Sequence, residues 1–205
     1  MVKSSKLKSV YDKSTVEDQR RIYREWAETY DNDTLQDFGW MGFQPAAEEF
    51  EKRVADKNAV ILDAGCGTGL SGKALFELGY TEIHGRDLSP EMLAKARETN
   101  VYQSLAEIDL TQSINEDRDY HAIFSCGVFG FGPPFAEHIR HLTALLKPDG
   151  YAVITVNGKG WIEKGWENEL TRVVRTHDLN LEEVLDIKYI ENENIDGKLL
   201  IFKGK

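Results

Sequence analysis

Two carboxylates and a run of bare backbone are the parts of this sequence best suited to chemistry. Asp63 ends the apolar run Val60-Ile61-Leu62, and Gly65, Gly67 and Gly69 follow at every second position. Glycines let a main chain come close to a ligand. An apolar strand, a glycine turn and a helix form the ligand-binding start of an open α/β sheet. Gly67-x-Gly69-x-x-Gly72 also fits the dinucleotide fingerprint, with Asp87 at the distance of a ribose-binding acid.

Asp63 separates the candidate ligands. A pyrophosphate binds the bare N-terminus of a helix through its negative charge, and a carboxylate at the mouth of the turn would repel it. The same carboxylate suits a nucleoside without phosphates that carries an ammonium and a sulfonium. S-adenosylmethionine is that ligand. A nicotinamide dinucleotide and a purely structural glycine turn are the competing readings.

The elements that must position these groups alternate. Apolar runs at 59–63, 82–87, 102–108, 120–125 and 151–157 read as strands, and 70–78, 90–99 and 135–146 as helices between them. That alternation predicts a mainly parallel sheet with helices on both faces. A further helix is expected over 161–177. The β-rich runs 184–190 and 198–203 read as an antiparallel pair closing one edge. Upstream, Ser14-Thr15-Val16-Glu17 has capping-box spacing, and the helix after it, ending at Asp31-Asn32-Asp33, carries Ile22, Trp26 and Tyr30 on one face with Tyr23 beside it. A glycine-punctuated aromatic loop spans 38–43, and Pro45 opens a helix through Ala46 and Phe50.

Composition bounds the function. The chain has 205 residues, 41% hydrophobic and 29% charged, enough for one well-filled domain. The expected division is a flexible tail over 1–14 and a single domain over 15–205, with a helical cap at 15–58 and a Rossmann-like core at 59–205. The lysines of residues 1–9 are followed by no apolar stretch, so a solvated tail is expected and not a secretory leader. No run is long enough for a membrane span. A net charge of −10 argues against a duplex or tRNA substrate. Cys66 and Cys126 make no disulfide framework or zinc spacing, so both are read as reduced thiols of a cytoplasmic protein without a metal site.

Three stretches together resemble the class I methyltransferases. Asp63-x-Gly65-x-Gly67-x-Gly69 is similar to their first motif, and Gly85-Arg86-Asp87-Leu88-Ser89-Pro90-Glu91-Met92-Leu93 to their second. Leu145-Leu146-Lys147-Pro148-Asp149-Gly150 is similar to the turn before their fifth strand. A narrower resemblance, to the methyltransferase-like proteins of the Williams-Beuren syndrome region and their bacterial relatives, rests on three further pieces. These are Tyr23-Arg24-Glu25-Trp26-Ala27-Glu28-Thr29-Tyr30-Asp31, Tyr102-Gln103-Ser104-Leu105 with Asp109-Leu110-Thr111, and Cys126-Gly127-Val128-Phe129. Those relatives are expected to have a Gly-His pair near Phe131-Gly132, where this chain has Gly132-Pro133-Pro134.

The resemblance implies a seven-stranded Rossmann-like fold, S-adenosylmethionine as cofactor and S-adenosylhomocysteine as product. It implies that the backbone at Gly65, Cys66, Gly67 and Gly69 passes against the methionine part, with Asp63 toward the ammonium, directly or through water. Asp87 would accept both ribose hydroxyls, and Leu88 and Met92 would flank the adenine. Asp109 could accept from the adenine amino group, with Leu110 beside it and backbone supplied by Cys126. Tyr23, Trp26 and Tyr30 would cap the methionine end. The helix carrying them and the 38–43 loop would form a lid.

The reaction expected is an in-line methyl transfer to a small-molecule O, N or S nucleophile, which alignment and exclusion of water can drive. No convincing base is visible. His138 and His141 read as helix-packing or exposed residues, and Gly132-Pro133-Pro134-Phe135 lacks the polar side chain of an amino-methylation motif. Phe129, Phe131 and Trp161 are candidate acceptor-side walls. A cofactor-binding protein without turnover, or a protein or RNA methyltransferase, is the alternative.

Overall fold

The computed structural model describes Tyr11, residues 15–116 and residues 119–205; Ser14 and most of the expected tail lie outside them. Seven strands form one sheet in the order β3-β2-β1-β4-β5-β7-β6. They are β1 Ile61–Ala64, β2 Ile83–Asp87, β3 Ser104–Glu107, β4 Tyr120–Phe129, β5 Leu146–Asn157, β6 Asn180–Ile190 and β7 Ile195–Lys203. The first five pair in parallel, and β7 runs antiparallel between β5 and β6. The central strand β1 is buried along its whole length. Chain order reverses around it, with β2 on one side and β4 on the other, which leaves a crevice at the strand ends.

Side chains alternate across the pleat, so the sheet has two cores. Ile61, Phe124, Val153 and Ile201 face one side, where Phe50 of helix α2 (Phe43–Arg53) and Leu75 of α3 (Leu70–Glu77) cover them. Leu62, Ile123, Ile154 and Phe202 face the other side. There they meet Ile139 and Leu142 of α5 (Ile139–Thr143) and Leu170 and Val173 of α7 (Trp166–Thr176). Among the described residues no helix is long and apolar enough to cross a membrane.

Several boundaries differ from the sequence reading. Helix α1 (Val16–Trp26) is capped by Thr15, whose hydroxyl accepts from Asp18 N, and it stops before Ala27. The chain then makes one turn at Tyr30–Asn32 and a π turn at Asp33–Asp37. The helix expected over 135–146 is a 3₁₀ turn, Ala136–His138, followed by the short α5. The one expected over 161–177 is divided into α6 (Gly158–Glu163) and α7 by Gly165 at φ 65°. Strand β4 continues past Ser125 to Phe129, because Phe129 still pairs with Val156 of β5. The 38–43 loop is clipped to the end of β6 by Met41 N to Tyr189 O and Glu191 N to Gly39 O, so it is a fixed wall.

Candidate active site

The turn after β1 is held from below. Gly65 N and Cys66 N both donate to Arg86 O at the end of β2, and Gly69 at φ 98° starts helix α3. Asp87, the last residue of β2, accepts from Gly67 N at 2.8 Å on Oδ2 and from Ser89 N at 2.9 Å on Oδ1. Ser89 in turn caps helix α4 (Pro90–Glu98) by accepting from Met92 N. One carboxylate thereby fixes both turns.

A cleft of about 660 Å³ lies over this frame. Of the sequence-derived residues, Tyr23, Tyr30, Gly65, Gly67, Asp87, Leu88, Met92, Asp109, Leu110 and Cys126 line it. Thr111, Gly127 and Val128, from the pieces of the narrower resemblance, and Pro134 of the Pro-Pro pair line it as well, as do Gln19 and Ile108, which the sequence had not marked as site residues. Asp109 Oδ1 accepts from Thr111 N and Thr111 Oγ1 in a local turn. Among the described residues neither lysine nor arginine lines the cleft, while two aspartates do. Such a wall repels a pyrophosphate and suits an uncharged nucleoside with a cationic end.

Four expected residues stand elsewhere. Asp63 is fully buried behind the glycine turn, where Oδ2 accepts from Ser71 Oγ and Tyr102 OH, both at 2.7 Å. Burial, reinforced by the Asp87 charge, pushes its carboxyl up to about 6 against the opposing effect of those two bonds. Its Oδ1 has no partner. Asp63 therefore does not stand at the mouth of the turn, where the sequence reading had put it. The Cys66 side chain packs under α4 with Leu93 and Ala96. Gly69 is bare because a Cβ there would come 2.9 Å from Thr99 Cγ2. Trp26 belongs to a second hollow described below. At Gly72 a Cβ would come 2.2 Å from the Tyr102 hydroxyl, so the third glycine of the apparent fingerprint makes room for the side chain that serves Asp63.

Gly65 and Gly67 differ in purpose. A Cβ at Gly65 would come 2.2 Å from Val128 Cγ2, whereas at Gly67, with φ 52°, it would meet nothing within 4 Å. Gly67→Ala is expected to cost only about 1–2 kcal/mol of stability for its left-handed conformation yet to weaken S-adenosylhomocysteine binding at least tenfold, roughly the effect of a misplaced methyl in a close-fitting site. Gly65→Ala should lose more stability than Gly67→Ala. Denaturant melts and calorimetry measure both, and wild-type affinity in Gly67→Ala would refute the assignment of that face to the ligand.

Helix α1 crosses the cleft. Gln19 Nε2 donates to Pro133 O on one rim. On the other, Arg20 bonds Leu88 O and Glu107, Arg24 pairs with Glu91 at 3.2 Å, and Glu28 pairs with Lys95 at 2.9 Å. Thr68 of the glycine turn donates to Asp31 just beyond the helix.

A second hollow, about 590 Å³ including its mouth, shares Tyr23, Tyr30, Gly127 and Val128 with the cleft. Trp26, Phe38, Trp40, Phe131 and Tyr189 wall it, and Phe129 contributes. Trp161 does not line it; that ring lies 6.5 Å from the Trp166 ring in a separate surface depression.

No histidine lines either hollow. His121 Nδ1 accepts from Val60 N, His138 Nδ1 accepts from Phe135 N, and His84 Nδ1 bonds Ser104 Oγ. His141 is buried against Leu110 O. Burial pushes the Cys126 thiol up to about 12 and the Cys66 thiol well up, so neither is a nucleophile at neutral pH. Among the described residues no three His, Cys, Asp or Glu side chains gather as a metal site would require.

Comparison with known proteins agrees with this geometry. The methyltransferase domain family matches residues 61–150. Methyltransferase-like protein 27 of Homo sapiens is 33% identical over 100 residues, covering 48% of this chain and 40% of that protein. Demethylmenaquinone methyltransferase of Chlorobaculum tepidum is 30% identical over 166 residues, covering 75% of this chain and 66% of that protein. This chain thus spans 40% and 66% of the lengths of these two relatives. The crystal structure of a Burkholderia thailandensis 1,6-didemethyltoxoflavin-N1-methyltransferase, with 1,6-didemethyltoxoflavin and S-adenosylhomocysteine bound, superimposes with a TM-score of 0.66 at 16% identity. It covers 94% of this chain and 92% of that one, and so shares the fold. With that domain matched from β1 into β5 and the strand order reversing over its glycine turn, this chain belongs to the class I S-adenosylmethionine-dependent methyltransferases, whose cofactor is S-adenosylmethionine.

Proposed function

We propose that this chain transfers the S-methyl group of S-adenosylmethionine to a small-molecule O, N or S nucleophile. One observation carries the acceptor side of the reading: across the shared wall of Tyr23, Tyr30, Gly127 and Val128 the cleft adjoins a second, largely aromatic hollow. A nucleic-acid acceptor is disfavoured by the net charge of −10 and by a cleft without basic side chains. Two buried free cysteines suit a reducing compartment, and the reading places the protein in the cytoplasm.

When bound, S-adenosylmethionine supplies an electrophilic methyl on a sulfonium. In this reading Asp87 accepts from the ribose hydroxyls, Leu88 and Met92 flank the adenine, and Asp109 accepts from its amino group. Gly65, Gly67 and Cys126 present backbone to the methionine part, with the buried charge of Asp63 behind them. Helix α1 excludes water, and Tyr23 and Tyr30 line the boundary between the two hollows. The chain contributes alignment and a weakly polar site, which is what neutralisation of a sulfonium by displacement asks for.

Calorimetry tests the cofactor assignment directly. S-adenosylhomocysteine is expected to bind with a micromolar dissociation constant and NADH not measurably. No heat with S-adenosylhomocysteine, or tighter binding of NADH, would overturn it.

A further inference from the structure

The second hollow has a chemistry that restricts its occupant. Aromatic rings make most of its wall, and among the described residues no carboxylate, lysine, arginine or histidine lines it. Tyr11 and Phe131 stack at 4.0 Å between ring centres, and Trp40 meets Tyr189 edge to face at 6.3 Å. Lys159 Nζ, paired with Glu163 at 3.8 Å, sits 4.9 Å from the Tyr11 ring centre and 5.7 Å from that of Phe131. Aromatic cages suit cations, but this wall already carries one against two of its rings, and among the described residues it offers a second no carboxylate.

The polar atoms of the wall are mostly engaged. Asn157 Oδ1 accepts from Lys159 N and Gly160 N, and its Nδ2 donates to the Tyr11 hydroxyl. The Thr155 and Trp40 side chains act on the Tyr189 phenol, opposing the rise that burial causes. Thr34 differs. It is 5% exposed, it lies on the π turn, and its Oγ1 has no partner although it lines the hollow. A buried hydroxyl left unpaired costs free energy until a ligand meets it.

Building on the methyl-transfer reading, we propose that the acceptor is a flat, uncharged aromatic or heteroaromatic molecule, oriented by a hydrogen bond to Thr34 Oγ1, whose nucleophile ionises without a protein base. Burial pushes the Tyr11 phenol up to about 12, and those of Tyr30 and Tyr189 are also raised, so these three phenols stay protonated and none of them takes a proton at neutral pH. The acceptor O–H, S–H or N–H gives its proton to water before attack. Its lone pair then forms the new bond to the methyl carbon, and the carbon–sulfur bond breaks with its electrons onto sulfur, leaving the neutral thioether. Thr34 is a positioning residue in this scheme.

The test begins with protein saturated in S-adenosylhomocysteine, which checks the cofactor reading first: if this ligand does not bind, that reading fails by itself. To the saturated protein, 2-naphthol and choline are then titrated and followed by ligand-observed NMR. 2-Naphthol should bind at least tenfold more tightly than choline. Thr34→Val should weaken 2-naphthol by roughly 5–10-fold, the scale of one hydrogen bond, while Thr34→Ser stays within twofold and both variants keep wild-type S-adenosylhomocysteine affinity. With S-adenosylmethionine, 2-naphthalenethiol, ionised near neutral pH, should be methylated faster than 2-naphthol, whose rate should rise about tenfold per pH unit. Choline binding as tightly as 2-naphthol, a Thr34→Val variant with unchanged 2-naphthol affinity, or 2-naphthol turnover independent of pH would overturn the proposal.

Discussion

Asp87→Ala is expected to weaken S-adenosylhomocysteine binding by at least about 100-fold. Hydrogen bonds to a charged group contribute about 1.5–3 kcal/mol each, and the reading gives Asp87 two ribose hydroxyls. Two such bonds exceed the roughly 2.7 kcal/mol that a 100-fold loss represents. The same substitution frees Gly67 N and Ser89 N, which the carboxylate holds at 2.8 and 2.9 Å. The glycine turn and the start of α4 therefore loosen together. Asp87→Asn should fall between wild type and alanine, because an amide must turn its NH₂ toward one of those backbone donors. Calorimetry with S-adenosylhomocysteine reads the effect, and circular dichroism shows that the fold is kept. An alanine variant within threefold of wild type would remove Asp87 from the site.

The second expectation concerns Asp63 and has opposite signs for stability and binding. Burial raises this carboxyl from 3.8 to about 6. The folded chain thus holds the proton more tightly than the unfolded chain between those values. Stability from this group is full below about pH 4 and falls as pH rises to about 6, a loss of about 3 kcal/mol from the ionised form. Asp63→Asn keeps an acceptor for Ser71 and Tyr102 but cannot ionise. The variant should lose the decline in stability between pH 4 and 7 that wild type shows without ligand. Slope is the proper readout, because the new NH₂ at the Oδ1 position goes unpartnered. In binding, the cofactor ammonium loses a buried negative charge behind the turn, and S-adenosylhomocysteine affinity should drop at least tenfold. An unchanged pH profile would deny the raised carboxyl, and unchanged affinity would deny its electrostatic role.

The sheet was legible in the sequence because its signals are local. Apolar runs, glycine punctuation and the carboxylates at strand ends each lie within a few residues, and every strand was found, although β4 runs on to Phe129, β6 begins at Asn180 and β5 begins at Leu146, inside the stretch read as a turn. The helices read less well, since tertiary contacts set their ends. Thr29 N bonds Trp26 O where a continued helix had been expected, and Gly165 at φ 65° divides what periodicity had joined. The candidate site divides the same way. Asp87 stands where a strand end must put it. Asp63 was expected at the mouth of the turn and is instead closed in by the Tyr102 hydroxyl, 39 residues away in sequence. Gln19 and Thr34 have no local signal at all, because a helix crossing the cleft and a π turn bring them there. Gly72 misled for a physical reason: its missing side chain serves Tyr102, not a phosphate.

Helix α1 has a consequence for the order of events in time. Gln19 and Tyr23 overlie the cofactor cleft, and Tyr23 and Trp26 overlie the aromatic hollow, so a single roof covers both compartments. Its rim is held by ion pairs such as Arg24–Glu91, whose side chains are largely in water and which contribute about 0–1 kcal/mol each. Its inner end is anchored by Trp26 Nε1 donating to the buried Asp33 at 2.6 Å. In the proposed reading the roof is expected to lift from its rim and pivot about Trp26, so that spent cofactor and methylated product would share one opening and one clock. If that clock is slower than the chemistry, turnover reports the swing of a helix and not the breaking of a carbon–sulfur bond.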